Sequence, residues 1–359
     1  MNEEPWNVFF SNYSASSSSS SLAIEDEQMN HFKVFPKGLF EKNLILPNLS
    51  SILWPSPSVA KLPSGRKLFN KSRSSLPSAF QPIFSTNQRK LINYLIKLFA
   101  DKMYENNLGD RFMLYGGTLL GSFRHHDFIP WDDDADLLID GSIQHIVRKL
   151  FTNNNNTNLQ YIEGDIDKLY TKILPEENDT EIDYEQSRKT SKYPWGWPYI
   201  DLFFYLSNLT HIYVIRDQIW FPKSIIFPLY YRPLNNNWYP TPKDTLAFLI
   251  YQGFYGNDCE TGYSHVYQKA YDQISILCKD LNEKYTFVEH RISNRNRINI
   301  IHTLLKKKSY EKYSNKIIWG KENLVIQTKH SKKVVIHTIE LPMPYHNTQV
   351  ETYGLSYRI

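Results

Sequence analysis

Residues 115–140 read Tyr-Gly-Gly-Thr-Leu-Leu-Gly-Ser-Phe-Arg-His-His-Asp-Phe-Ile-Pro-Trp-Asp-Asp-Asp-Ala-Asp-Leu-Leu-Ile-Asp. A Gly-Gly turn opens the stretch, and Asp132, Asp133, Asp134 and Asp136 crowd its end. Trp131 and Leu137-Leu138-Ile139 flank these acids, which draws the segment toward a core instead of leaving it as a solvated loop. Carboxylates this dense repel one another, so without a cation some must take up protons or stay hydrated. Hard divalent ions want oxygen ligands, and Mg²⁺ usually takes one or two carboxylates together with substrate phosphates. The stretch therefore points to a metal-assisted phosphoryl-transfer site.

Outward from it, the elements alternate. Ser85-Thr86-Asn87 offers caps for a helix whose apolar face is Leu91, Ile92, Leu95, Ile96, Phe99 and Met103, ending near 106–109. Arg111 to Tyr115 reads as a short buried strand, Thr118 to Arg124 as a short helix and Asp134 to Ile139 as the next strand. Ser142 to Phe151 reads as a second amphipathic helix. Residues 153–158 form an Asn-rich loop, and 159–191 are polar, with room for one hairpin. Pro194-Trp195-Gly196-Trp197-Pro198 is a rigid aromatic loop before a strong strand, Tyr199 to Tyr205, which Asp201 interrupts. Further strands are expected over 211–215, 218–221, 317–328 and 333–341, and a helix capped at Lys243-Asp244-Thr245 runs through Leu246 to Gln252.

Period-two geometry puts Asp134 and Asp136 on one face of their strand, with Ala135 turned to the core. If the Asp201 strand is a neighbour, three carboxylates can share one ion or a pair. Gly116 and Gly117 can present backbone N–H groups at a helix N-terminus, an arrangement suited to phosphate. Thr118 adds a hydroxyl, Arg124 a bidentate clamp, and Trp131 joins the candidate binding residues. His125 and His126 are weighed as phosphate or metal contacts against the plainer reading of idle, exposed loop histidines. Trp195 and Trp197 are weighed as stacking platforms against loop packing.

A Gly-Gly turn about seventeen residues before Asp-X-Asp, between a strand–turn–helix and a second strand, resembles the nucleotidyltransferase-like fold. The whole 115–136 block resembles the signature of the LicD family, which includes bacterial phosphocholine transferases and the animal fukutin and fukutin-related proteins. Trp197-Pro198-Tyr199-Ile200-Asp201-Leu202-Phe203 is similar to its second block. Arg232-Pro233-Leu234 with Tyr239-Pro240-Thr241-Pro242 is similar to a later, looser one. The likeness runs from about Phe80 to about Ser264. It implies an α+β chain with a mixed sheet and a nucleotidyltransferase-like catalytic core at 81–265. The serine run at 16–21 and the Pro-, Ser- and Asn-rich composition onward to Pro82 read as a disordered or linker segment over residues 1–80, and 266–359 as a helical and β extension packing on the core.

The resemblance implies transfer of a phospho-alcohol, such as ribitol phosphate or choline phosphate, from a CDP-linked donor to a hydroxyl of a glycan or glycoprotein. Asp134 and Asp136 would be the metal pair and Asp201 the third acid, with Mg²⁺ or Mn²⁺ as cofactor. The alternative is a non-catalytic glycan- or partner-binding protein on the same fold. A pseudoenzyme would be expected to lose an acid, and all three are present. The cysteine-based zinc element of fukutin-related proteins has no counterpart, because Cys259 and Cys278 are the two cysteines of the chain.

Bulk properties narrow the class further. A net charge of +4 over 359 residues gives no case for nucleic acid or a membrane surface. A hydrophobic fraction of 41% supports a real core. No apolar run reaches membrane-spanning length, and the N-terminus lacks a signal-peptide layout. Asn-X-Ser/Thr sequons at Asn12, Asn48, Asn70, Asn155, Asn178 and Asn208 permit a secretory location. The resemblance suggests the Golgi or another secretory-pathway lumen, with the cytoplasm as the alternative. One bridge between the two cysteines is possible, and the sequence does not decide it.

Overall fold

The computed structural model describes residues 31–33, 46, 48–65, 78–152, 158–175, 186–254, 257–292, 317–329, 332–344 and 352–353. The serine run at 16–21, most of the Asn loop at 153–158 and the Lys306–Lys308 basic run lie outside the described residues.

The region 81–265 is α+β, as its alternating pattern predicts. Helix α1 (Thr86–Glu105) starts at a capping box, in which Ser85 and Gln88 satisfy each other's backbone N–H groups. Its expected apolar stripe is buried from Leu91 to Met103. Phe99 on that stripe stacks on Phe151 and meets Phe112 edge-on. Strand β1 (Phe112–Leu114) leads into α2 (Gly116–His125), which takes in both glycines. Then come β2 (Ala135–Asp140), α3 (Gln144–Thr152) and a hairpin of β3 (Leu159–Ile162) and β4 (Asp167–Thr171). The long strand β5 (Tyr199–Ser207) follows, with β6 (His211–Val214) and β7 (Ile219–Pro222) after it.

These strands form one mixed seven-stranded sheet. Its main order is β7-β6-β5-β2-β1, with β4 also on β5 and β3 on β4. β5 runs parallel to β2 along one edge. Its other edge is divided, β4 pairing with 199–202 and β6 with 205–207, both antiparallel. Asp136 on β2, Asp201 on β5 and Lys168 on β4 are thus cross-strand partners in one row. The register alone sets two acids and a base side by side.

A second hairpin, β8 (Tyr230–Leu234) with β9 (Asn237–Thr241), precedes α4 (Thr245–Tyr251), whose N-cap Asp244 accepts from Ala247 N–H. A third, β10 (Asp258–Ser264) with β11 (Lys269–Leu277), is closed by a Cys259–Cys278 disulfide. Strands β12 (Phe287–Ile292), β13 (Ile317–Gln327) and β14 (Lys333–Pro344) build a separate sheet. His31–Lys33 adds to β14 in parallel and Thr352–Tyr353 to β12. Within the N-terminal segment, Leu49 and Ile52 bury against Ile339 and Leu341 of β14. Among the described residues no helix is long and apolar enough to cross a membrane.

Candidate functional site

The β1–α2 connection lies directly over β2. Tyr115 N–H donates to the Asp136 carbonyl, Gly117 N–H donates to Asp136 Oδ2 at 3.1 Å, and Asp136 N–H donates to Thr118 Oγ1 at 2.8 Å. A side chain at either glycine would displace a carboxylate. A Cβ on Gly116 would sit 2.4 Å from Asp136 Oδ2, and one on Gly117 would sit 2.4 Å from Asp132 Oδ2. Gly116 also has φ +48°, the left-handed region that glycine enters without penalty. The Gly-Gly turn is a cradle for carboxylates.

Asp134 and Asp201 are buried and Asp136 is partly buried. One carboxylate oxygen from each converges with the other two inside 4.8 Å. This all-oxygen donor set fits a divalent cation. The metal-free electrostatics agree. Burial, with Asp132 and Asp201 adding repulsion, pushes Asp134 well above the usual carboxylate range, and burial plus the Asp134 charge does the same to Asp136. Asp201 is raised by burial, with Lys168 acting in opposition. Lys168 is ion-paired to Asp201 Oδ1, and its ammonium sits 4.8 Å from the Trp195 ring centre and 4.2 Å from that of Tyr199.

The three acids line a cleft of about 890 Å³. Its lining includes Tyr193, Trp195, Tyr263, Tyr115, Asp217 and Gln252. Tyr115 Oη donates to Asp217 Oδ2 at 2.5 Å. Trp195 Nε1 and Gln252 Oε1 are buried polar atoms with no hydrogen-bond partner among the described residues.

The cleft does not include every residue that the sequence nominates. Arg124 lies eight residues beyond Gly116, about 12 Å along the axis of α2. It is buried against the Asp258 carbonyl and Cys259, and it is not a phosphate clamp. Lys168 and Arg216 line the cleft instead. Trp131 is buried between Phe80 and Tyr285 and donates to the Glu260 carbonyl, so it fastens the β10–β11 hairpin and does not face substrate. Thr118 is buried with its hydroxyl committed to Asp136. Trp197 packs on Phe84 and donates to the Asp133 carbonyl, while Trp195 reaches the cleft. His125 and His126 are buried away from it, His125 on the Thr286 carbonyl and His126 on Glu322 and His337.

Sequence reasoning passed over Lys168 and His265. Lys168 becomes visible only through the β4–β5 register. His265 sits in the turn of the β10–β11 hairpin, with Nδ1 2.7 Å from Asp133 Oδ1 and Nε2 3.2 Å from Asp134 Oδ2. Burial alone would lower its pKa. Hydrogen bonding to Asp133 and the surrounding carboxylates outweigh burial and hold it up to about 9. Asp132 is pushed up to about 6, by burial first, with the Asp133 charge adding to it.

The mixed sheet, the glycine cradle and the three convergent acids define a nucleotidyltransferase-type domain. Residues 109–244 match the family model described as LicD/FKTN/FKRP, nucleotidyltransferase domain. Over those residues the chain is similar to the LicD family, whose phosphotransferase-type enzymes act in glycan modification. Among curated proteins none matches the chain.

Proposed function

We propose that the chain transfers a phospho-alcohol, of the choline phosphate or ribitol phosphate kind, from a CDP-linked donor to a hydroxyl of a glycan or glycoprotein. The observation that carries this reading is the convergence of Asp134, Asp136 and Asp201 on the wall of a cleft large enough for a nucleotide-linked donor. In the reaction an acceptor hydroxyl oxygen bonds to the phosphorus that bears the alcohol. The bond from that phosphorus to the bridging oxygen breaks, CMP departs with the electron pair, and the hydroxyl proton passes to solvent or a nearby base.

Asp134, Asp136 and Asp201 would hold Mg²⁺ or Mn²⁺, which when bound supplies neutralisation of phosphate charge and a lowered pKa for a coordinated hydroxyl. Gly117 N–H fixes the Asp136 carboxylate and Thr118 fixes the Asp136 backbone, so the acid is preorganised. Lys168 holds Asp201 to one orientation and, with Arg216, adds positive charge beside the phosphates. The aromatic wall of Tyr193, Trp195 and Tyr263 suits a sugar face or a base. The Cys259–Cys278 bridge fits an oxidising compartment, and so favours a secretory-pathway lumen over the cytoplasm.

The test is CMP release from CDP-choline and CDP-ribitol with Mn²⁺, with and without a glycan acceptor, comparing wild type with Asp136→Ala. Metal-dependent release that disappears in the variant supports the reading. Equal release from both proteins overturns it.

A further inference from the structure

His265 is positioned as a metal-binding imidazole is positioned. Its carboxylate partner, Asp133, is almost fully buried and has both oxygens committed. Oδ1 meets His265 Nδ1 at 2.7 Å, and Oδ2 accepts from Val266 N–H at 3.0 Å and Ser264 Oγ at 3.3 Å. Asp133 therefore serves the hairpin turn and the imidazole. A ligating histidine characteristically gives its second ring nitrogen to a carboxylate in this way, which fixes the tautomer and aims the other nitrogen.

The other nitrogen is aimed at the acid cluster. Nε2 lies 3.2 Å from Asp134 Oδ2, and the side chain lines the cleft. Two ligand atoms about 2.1 Å from one ion and about 90° apart are separated by about 3.0 Å. Without metal this contact is an ion pair, and its spacing is also that of neighbouring ligands on one cation, whose binding would release the Nε2 proton. Asp134 belongs to two convergent sets of donor atoms, one with Asp136 and Asp201 and one with Asp132, Asp133 and His265. It is the group through which an imidazole can enter the centre.

We propose that His265 Nε2 is a ligand of the divalent ion held by Asp134, with Asp133 as the positioning residue behind it. The inference rests on the metal reading of the cleft given above and refines it. A nitrogen in the donor set shifts preference away from Mg²⁺, which favours oxygen, and toward Mn²⁺ and later divalent ions.

The experiment is pulsed electron paramagnetic resonance on the full chain loaded with Mn²⁺ alone, without nucleotide. Protein grown with natural-abundance histidine is compared with protein grown with ¹⁵N-histidine. Bound Mn²⁺ should show nitrogen modulation that changes on histidine labelling and vanishes in His265→Gln. Asp133→Asn should weaken Mn²⁺ binding about ten- to a hundred-fold. The wild-type spectrum is decisive without any variant, so misfolding of a variant does not protect the idea. Bound Mn²⁺ with no histidine coupling overturns the inference and leaves the metal reading standing. No Mn²⁺ binding at millimolar concentration overturns both.

Discussion

The molecule buries two clusters of charge, and they are balanced in opposite ways. Beneath the C-terminal sheet, Glu322 takes a two-pronged ion pair from Arg232 at 2.8 and 2.7 Å, with His126 at 2.8 Å and His290 at 3.1 Å completing its partners. Burial alone would raise this carboxyl, but Arg232 and His290 hold it well below the usual range. In the cleft, Asp134 and Asp136 face each other and are driven the other way. The first cluster carries its own countercharge, so its charge balance is closed even though Arg232, His290 and Glu322 border a small cavity. The second is short of positive charge even with Lys168 and His265 beside it, and it opens onto a cleft. A buried charge set that the chain leaves uncompensated is the mark of a partner that comes from outside.

The largest expected effect lies in the closed cluster. Glu322→Gln leaves Arg232 buried and without its carboxylate, which costs about 3–5 kcal/mol. Calorimetry should show the melting temperature down by about 10 °C. An unchanged melting temperature would break the comparison, since the two clusters would then respond alike.

Asp134→Asn should do the reverse in the open cluster. Removing one of several like charges leaves the metal-free melting temperature unchanged or raised by a few degrees. Transfer activity should fall by about 10²–10³-fold, the usual scale for losing one electrostatic contributor. A variant that both melts early and keeps its activity would show that Asp134 is structural.

The pH dependence separates the clusters without mutation. Asp132 has a folded pKa near 6, raised above its ordinary 3.8 by burial and the neighbouring Asp133 charge. Its contribution is therefore full below about pH 4 and is lost as pH rises through 6. Asp134 and Asp136 are raised as well and act with the same sign. His337 runs oppositely. Burial, with His126 beside it, lowers its folded pKa to about 3, so its contribution is present above 6.5 and fades as pH falls toward 3. With the ion in the cleft as proposed, the difference in melting temperature between Mn²⁺- and EDTA-treated protein isolates it. That difference should widen by several degrees between pH 4 and pH 7. A flat difference would mean that the acids are not where the ion binds.

Much of this was legible along the chain, for reasons that also explain the gaps. Leu91 to Met103 repeats at helical spacing, and α1 formed there. Asp136 and Asp201 interrupt strongly apolar runs, and an acid that survives in such a run is conspicuous. What sequence order misled about was distance. Arg124 and Trp131 lie near the acids in the chain, yet α2 carries Arg124 to its far end and the turn before β2 tucks Trp131 under a hairpin. What sequence order hid was pairing. Lys168 meets Asp201 only through antiparallel β4–β5 register. His265 sits between β10 and the largely exposed β11, whose side chains give no clear apolar alternation to announce a strand. The pieces of 48–65 on β14 were hidden in the same way, since Leu49 and Ile52 find their core nearly three hundred residues away.

Thr118 offers the smallest effect and the sharpest discrimination. The sequence suggests a phosphate contact, whereas the structure spends its hydroxyl on the Asp136 N–H at 2.8 Å. Thr118→Val keeps the shape and leaves that buried N–H without an acceptor, a cost of about 1–3 kcal/mol. If Thr118 met the donor phosphate, KM for the CDP-linked donor would rise at any metal concentration. If it positions Asp136, the loss appears in Mn²⁺ affinity and melting temperature, and KM for the donor returns to the wild-type value once metal is saturating. A donor titration at low and at saturating Mn²⁺ separates the two. The second pattern would show that the open cluster, though short of positive charge, is held in place as firmly as the closed one.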